Sequence, residues 1–534
     1  MNKNNKSVLF WVVFATAMAL KFGYDKFKYY PVLDDWLQYG AYQLYKNPIQ
    51  IFFNYSYHTR PLASFFDVAV WGTFWPDLSV PFIVITVLHL GSCYLLYRIF
   101  TNVSIPLGIP AALIFGLMPL GNEATYWLSA STRLVVGLFF MLFSLYLLTE
   151  SMNKKEKKMY IFGFWFFQLV SFCFYEQIIA LGFVASLLLL LWKKKQFKKW
   201  HVFALPVLNA ALIAGYYILF KAGGNAAQRG NLIGKDPFWL HVAGVFHQFY
   251  DIAYTVHSDY YTRAFPSAIR MLIETKSYTY ILTIVAVSVG VGYAAWKLER
   301  SKEGSKKIGI RLLIGLIAAV VPLIPFFLIQ DTGLALRNVF PSMVGLAVMV
   351  DALLDWFGSG TAARAIYGAL SAFLTFVFIL AGVADIQDYK RVSQMDRSVA
   401  EQIVKVGSQQ HKFNGVYPAY LFGAEERLVP VNVFFLNHIR NVTGSDWALS
   451  GSVRAVGHNP NYPVITPVSA TDDLIVPEKD LRNGLLMGLQ SQRGKMSVVP
   501  LHAEKKDNGD YRLLRMDGTQ FGVYYVKAQH FKWK

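Results

Sequence analysis

Two adjacent carboxylates, Asp34 and Asp35, stand in Val32-Leu33-Asp34-Asp35-Trp36, at the head of a short amphipathic stretch that runs to Tyr45. Neighbouring carboxylates repel, which raises one pKa and suits a group that must take up a proton. The same pair also suits a helix N-cap, whose carboxylate accepts backbone N–H bonds. Arg60 follows in Tyr57-His58-Thr59-Arg60-Pro61, its backbone held extended by the proline after it. Such an arginine either grips a phosphate with two parallel hydrogen bonds or snorkels to a membrane interface. The stretch 121–133 carries Glu123, Trp127 and Arg133, and Tyr175-Glu176-Gln177 sits between two apolar runs with almost no loop. Glu176 therefore needs a partner or a watery cavity, or caps a helix. Arg337 and Asn338 end the turn 330–338, where a helix dipole disfavours a cation, so Arg337 requires an anion: a protein carboxylate or a lipid-linked phosphate.

The rest of the chain must position these groups, and its composition states how. Of 534 residues, 54% are hydrophobic and only 16% are charged, well under the roughly one quarter of a water-soluble protein. Apolar runs long enough to cross about 30 Å of hydrocarbon follow one another with charged breaks between, giving about eleven transmembrane helices. The expected spans are 8–23, 81–99, 105–120, 134–150, 159–174, 177–192, 201–220, 278–297, 309–329, 339–356 and 364–384. Ala17-Met18-Ala19 resembles a signal-peptide cleavage site after the first run, but a retained signal anchor is the expectation.

The net charge of +18 does not point to nucleic acid, because the lysines bunch in short loops rather than along an aromatic-studded polar face. Lys154, Lys155, Lys157 and Lys158 form one cluster. Lys193, Lys194, Lys195, Lys198 and Lys199 form a second, and Lys297, Arg300, Lys302, Lys306 and Lys307 a third. With a cytoplasmic N-terminus all three clusters fall inside, as the positive-inside rule requires. The same threading puts every polar site above on the opposite face. It also places 385–534 outside, where charges become frequent and strand-like runs such as 431–436 and 521–526 alternate with turn residues. The chain thus reads as an α-helical polytopic membrane protein, with a transmembrane domain over 1–384 and an extracytoplasmic α+β domain over 385–534. Cys93 and Cys173 both lie inside expected spans, which excludes a disulfide framework and a cysteine-based zinc site.

Taken in order, Asp34-Asp35, Arg60-Pro61-Leu62, Asn122-Glu123-Ala124 with Trp127 and Arg133, Tyr175-Glu176-Gln177, and Arg337 before Phe340-Pro341-Ser342 resemble the membrane glycosyltransferases of the GT-C fold. That family includes protein O-mannosyltransferases and aminoarabinose transferases, and the resemblance covers residues 8–384. It implies transfer of a sugar from a polyprenyl-phosphate donor to an acceptor glycan, lipid or protein at the outer face, with inversion at the anomeric carbon. By the same resemblance Asp34 or Asp35 is the base. Arg60, Arg337, Arg133 and His58 hold the donor phosphate, and Glu123, Glu176 and Asn338 orient the substrates. The acidic residues lack a spacing that specifies a metal, so no metal site is predicted, although the aspartate pair offers the oxygen donors a divalent ion takes. A transporter or flippase of lipid-linked sugars would show repeated halves and midplane charges, and a scaffold would tolerate loss of the aspartates.

Overall fold

The computed structural model describes residues 3–45, 60–152, 157–192, 201–222, 237–297, 307–329, 333–357, 360–410, 413, 415–428, 438–471, 474–492 and 495–533. His58, the strand-like run 431–436 and most of the clustered lysines lie outside the described residues.

Among the described residues thirteen helices, numbered in chain order with the short helical turns left unnumbered, build the first part. They are α1 (Lys3–Phe22), α2 (Ser79–Asn102), α3 (Ile109–Leu117), α4 (Leu128–Ser151), α5 (Lys157–Phe172), α6 (Glu176–Trp192) and α7 (His201–Ala222). After them come α8 (Phe238–Asp259), α9 (Phe265–Glu274), α10 (Tyr278–Lys297), α11 (Ile308–Leu328), α12 (Leu336–Leu354) and α13 (Thr361–Ser408). Among the described residues seven of these are long and apolar enough to cross a membrane, and 7–22 and 176–192 are shorter apolar helices. The protein is an integral membrane protein.

Two expected spans differ. Residues 105–120 form only the nine-residue α3, about 13 Å long at 1.5 Å per residue, too short to cross. Helical geometry is disfavoured before a proline, and Met118, before Pro119, is extended (φ −60°, ψ 131°), so the helix stops there. The chain then continues through the turn Pro119–Gly121 into the short buried helix Asn122–Tyr126. The expected span 159–174 falls on the sixteen-residue α5, which ends at Phe172.

Helix α13 has 48 residues, roughly 72 Å at 1.5 Å per residue. Its first half is apolar and its second carries Asp385, Asp388, Lys390, Asp396 and Glu401, so one rod joins the membrane part to the C-terminal part. Position 384/385, expected as a domain boundary, lies in the middle of this helix.

The C-terminal part is a seven-stranded mixed sheet, order β2-β1-β3-β4-β5-β6-β7. Its strands are β1 (Ala419–Phe422), β2 (Ile465–Val468), β3 (Leu485–Gln492), β4 (Lys495–Lys505), β5 (Tyr511–Arg515), β6 (Gln520–Tyr525) and β7 (His530–Trp533). β1 pairs in parallel with both β2 and β3, and the rest is an antiparallel meander. The parallel β1–β2 pair requires a crossover, which α14 (Asp446–Gly457) supplies. The run 521–526 falls on β6.

Two hydrophobic cores meet at the first loop. Trp36 is fully buried in the C-terminal core with Val399, Ile403, Leu421, Leu449 and Val453, while Val32 and Tyr39 belong to the membrane core. The helical turn at Trp36–Ala41 packs on α14 at backbone distance: a Cβ on Gly451 would stand 2.8 Å from the Leu37 Cα. Gly451→Val should therefore push α14 off this turn at a cost of about 1–3 kcal/mol, read as a fall in thermal midpoint. An unchanged midpoint would mean that the contact does not hold the two parts together.

Charge is layered at opposite ends of α11 and α12. At one end buried Arg311 pairs with Asp351 and Asp355, and Asp351 accepts the Gly108 N–H at 2.8 Å. At the other end stands Arg337, fourteen residues before Asp351 on α12, about 21 Å along the axis.

Candidate active site

The two aspartates point in opposite directions. Leu33 has φ 47°, a left-handed conformation uncommon for a branched apolar residue. The turn it makes sends Asp35 inward and Asp34 to a cavity wall. Asp35 is 0% exposed. Its Oδ2 accepts the Tyr29 hydroxyl at 2.6 Å and the Val32 N–H at 3.0 Å, and its Oδ1 accepts the Ser129 N–H at 3.2 Å. Ser129 lies in the first turn of α4, where N–H groups lack intrahelical partners. The Tyr29 hydroxyl accepts the neighbouring Leu128 N–H at 2.7 Å. Asp35 thus caps a helix, but one that begins almost a hundred residues away.

Burial pushes the Asp35 carboxyl up to about 8, against the hydrogen bonds from Tyr29, Val32 and Ser129. A carboxyl raised in the folded state above its ordinary 3.8 stabilises fully below that value, and the contribution is lost as pH rises through about 8. The thermal midpoint of the protein should fall over this window, and Asp35→Asn, which cannot ionise, should flatten the slope. A slope that persists unchanged in the variant would remove Asp35 as its source.

Asp34 accepts a hydrogen bond from Trp447 Nε1 of α14 at 2.8 Å. It lines a cavity of about 110 Å³ together with Arg60, Arg133 and Arg337, Trp127, Ser129 and Tyr175. Each arginine is anchored by a carboxylate. Arg60 binds Glu176 through Nε at 3.2 Å and Nη2 at 2.9 Å, with its guanidinium 4.2 Å from the centre of the Tyr175 ring. Arg133 pairs with buried Asp67 at 3.0 Å, and Asp67 also accepts the Tyr39 hydroxyl at 2.7 Å. Arg337 donates from its backbone N–H at 2.9 Å and from Nη1 at 2.5 Å to Glu123, itself 2% exposed, and stacks 4.9 Å from the Trp127 ring centre. Glu123 therefore caps α12 and pairs with Arg337 at once, so a protein carboxylate is one anion that Arg337 meets. Its side chain still stands 36% exposed in the cavity.

Asn338 accepts the Ala335 N–H through Oδ1 at 2.9 Å and donates to the Tyr175 hydroxyl at 3.1 Å. Gln177 Nε2 donates to the Asn338 carbonyl at 2.8 Å, fixing the turn after Tyr175 to the start of α12. Asp34, Arg60, Arg133 and Arg337 thus come together in one cavity, Glu123 and Glu176 hold two of its arginines, Asn338 braces Tyr175, and Asp35 lies beneath.

A second cavity of about 560 Å³ adjoins the first and shares Asp34, Trp127 and Arg337 with it. Glu123 and Tyr389 line its membrane side, and Arg427, His438, Arg440 and Trp447 its C-terminal side. His438 Nε2 pairs with Asp385 at 2.9 Å. Burial lowers the His438 pKa and the Asp385 carboxylate raises it more, leaving it above its ordinary value.

Sequence reading missed Asp67, Trp447, His438 and the other C-terminal groups. Asp67 had a signal, a single charge inside Phe65-Phe66-Asp67-Val68-Ala69-Val70-Trp71. Trp447 and His438 had none, since nothing local marks a residue that meets the site only through folding. Among the described residues no group of three or more His, Cys, Asp or Glu side chains is arranged to hold a metal ion.

Over nearly its full length the chain is similar to ArnT. The crystal structure of ArnT from Cupriavidus metallidurans in the apo state is 14% identical, with 93% of this chain and 98% of that chain covered and a TM-score of 0.38. The same protein bound to undecaprenyl phosphate is 12% identical, with 92% and 97% covered and a TM-score of 0.37. No family model and no curated protein matches the sequence.

Proposed function

We propose that this chain is a GT-C-type glycosyltransferase that moves a sugar from a polyprenyl-phosphate donor to an acceptor hydroxyl at the extracytoplasmic face, with Asp34 as general base. The observation that carries the reading is the position of Asp34 in the wall shared by two cavities. On one side three arginines surround a space suited to a phosphate group. On the other a larger cavity has room for an acceptor.

In this mechanism the donor phosphate lies against Arg60, Arg133 and Arg337, already oriented by Glu176, Asp67 and Glu123. Preorganised cations of this kind stabilise charge as it develops on a leaving phosphate. Asp34 accepts the acceptor O–H proton while that oxygen attacks the anomeric carbon. The bond from that carbon to the phosphate oxygen breaks with its electron pair on the phosphate. The products are the inverted glycoside, polyprenyl phosphate and protonated Asp34. Asp35 acts beneath Asp34 as a positioning residue through Tyr29, Val32 and Ser129.

The test is reconstitution in proteoliposomes with polyprenyl-phosphate sugars and candidate acceptors, following labelled sugar and released polyprenyl phosphate. Transfer with stoichiometric release supports the reading. Movement of the intact donor between leaflets without release overturns it in favour of a flippase.

A further inference from the structure

We propose that the larger cavity is the acceptor site and that it takes an anionic saccharide, its reacting hydroxyl at Asp34 and its negative groups at Arg427 and Arg440. The inference rests on the glycosyl-transfer reading of Asp34 and adds the acceptor class to it.

The cavity is about five times the volume of the arginine-lined one, 560 against 110 Å³, enough for sugar rings rather than a single phosphate. Its membrane wall is electrically settled, because Arg337 and Glu123 neutralise one another. The opposite wall is not. Arg427 is exposed and has no carboxylate partner among the described residues. Arg440 pairs with Glu426 at 2.7 Å, but both side chains are about half exposed, so the pair is weak and open to exchange. His438, on the same side, is already tied to the Asp385 carboxylate, so the unsettled charge lies with the two arginines. Moving outward from Asp34, the lining is thus cationic, a field that concentrates anions. Trp447 is half exposed and ties its indole N–H to Asp34, leaving ring surface on which a sugar can lie beside the base. The combination of open arginines, an aromatic platform and a carboxylate at the inner end suits a glycan bearing phosphate or carboxylate groups. A neutral glycan would leave the arginines without a role.

The experiment measures equilibrium binding of phosphorylated and neutral maltopentaose to the full-length protein in nanodiscs, with each glycan free in solution and attached to a lipid anchor. The phosphorylated form should bind about tenfold more tightly at low salt, and the preference should shrink as ionic strength rises. Arg427→Gln/Arg440→Gln, which changes only open side chains, should abolish the preference, and Asp34→Asn should keep it. Tighter binding of the free glycan assigns a soluble acceptor and of the anchored one a glycolipid, and both support the site. Equal affinity for the two glycans, or a preference that survives the double substitution, overturns it. Because the readout is binding, failure of the transfer assay with this preference intact sinks only the reading of Asp34. Transfer that is indifferent to acceptor charge sinks only the inference.

Discussion

Asp34→Asn should lower sugar transfer by roughly 10² to 10⁴-fold, the range removed with a general base, while leaving donor binding and thermal stability close to wild type. The stability part follows from geometry. Asparagine keeps a carbonyl oxygen for the Trp447 N–H, and no other hydrogen bond to Asp34 is lost among the described residues. Asp35→Asn behaves differently. Three donors converge on its two oxygens, and an amide can satisfy at most two of them from its single oxygen. An unsatisfied buried donor costs about 1–3 kcal/mol, so this variant should lose stability first and activity only as a consequence. Comparing kcat with thermal midpoint for the two variants separates base from support. If both remain folded and neither reduces transfer, the assignment of either aspartate to the chemistry fails.

Arg337→Ala should weaken binding of the polyprenyl-phosphate donor by at least about 30-fold, corresponding to roughly 2 kcal/mol for a charge-assisted contact in a partly enclosed site. It should also destabilise, because Glu123 is 2% exposed and, among the described residues, would keep only the backbone N–H of residue 337. The cost of losing the side-chain bond is about 1.5–3 kcal/mol. The double variant Glu123→Gln/Arg337→Ala separates the two effects. Removing the stranded carboxylate should restore much of the stability but none of the donor affinity. Unchanged donor affinity in Arg337→Ala would reduce Arg337 to an ion-pair partner of Glu123.

Much of this site was legible in the residue order because its chemistry is strange for its place. Charged groups such as Glu123, Glu176 and Arg337 are costly at the ends of apolar helices, so their presence there needs a reason. The lysine loops give an expected cytoplasmic face by an independent physical cause, and the same threading expects the polar residues on the other. What stayed illegible is pairing. Nothing in the stretch around Arg60 names Glu176 as its partner, and nothing around Arg133 names Asp67, because these contacts close loops of many residues and depend on how helices pack.

Residue order by itself determined that this chain is a membrane protein and which charged groups are rare for their place. Hydropathy and charge are properties of each residue and its close neighbours, so they survive without a fold. Only the tertiary structure decided that Asp34 faces the cavity while Asp35 caps α4. The turn at Leu33 is left-handed because Asp35, Trp36 and the start of α4 are held by contacts from distant parts of the chain. It also decided that α13 runs unbroken through position 384 and brings Trp447 and His438 over the site. The energy of that arrangement lies in packing between elements far apart in sequence, and no local pattern can record it.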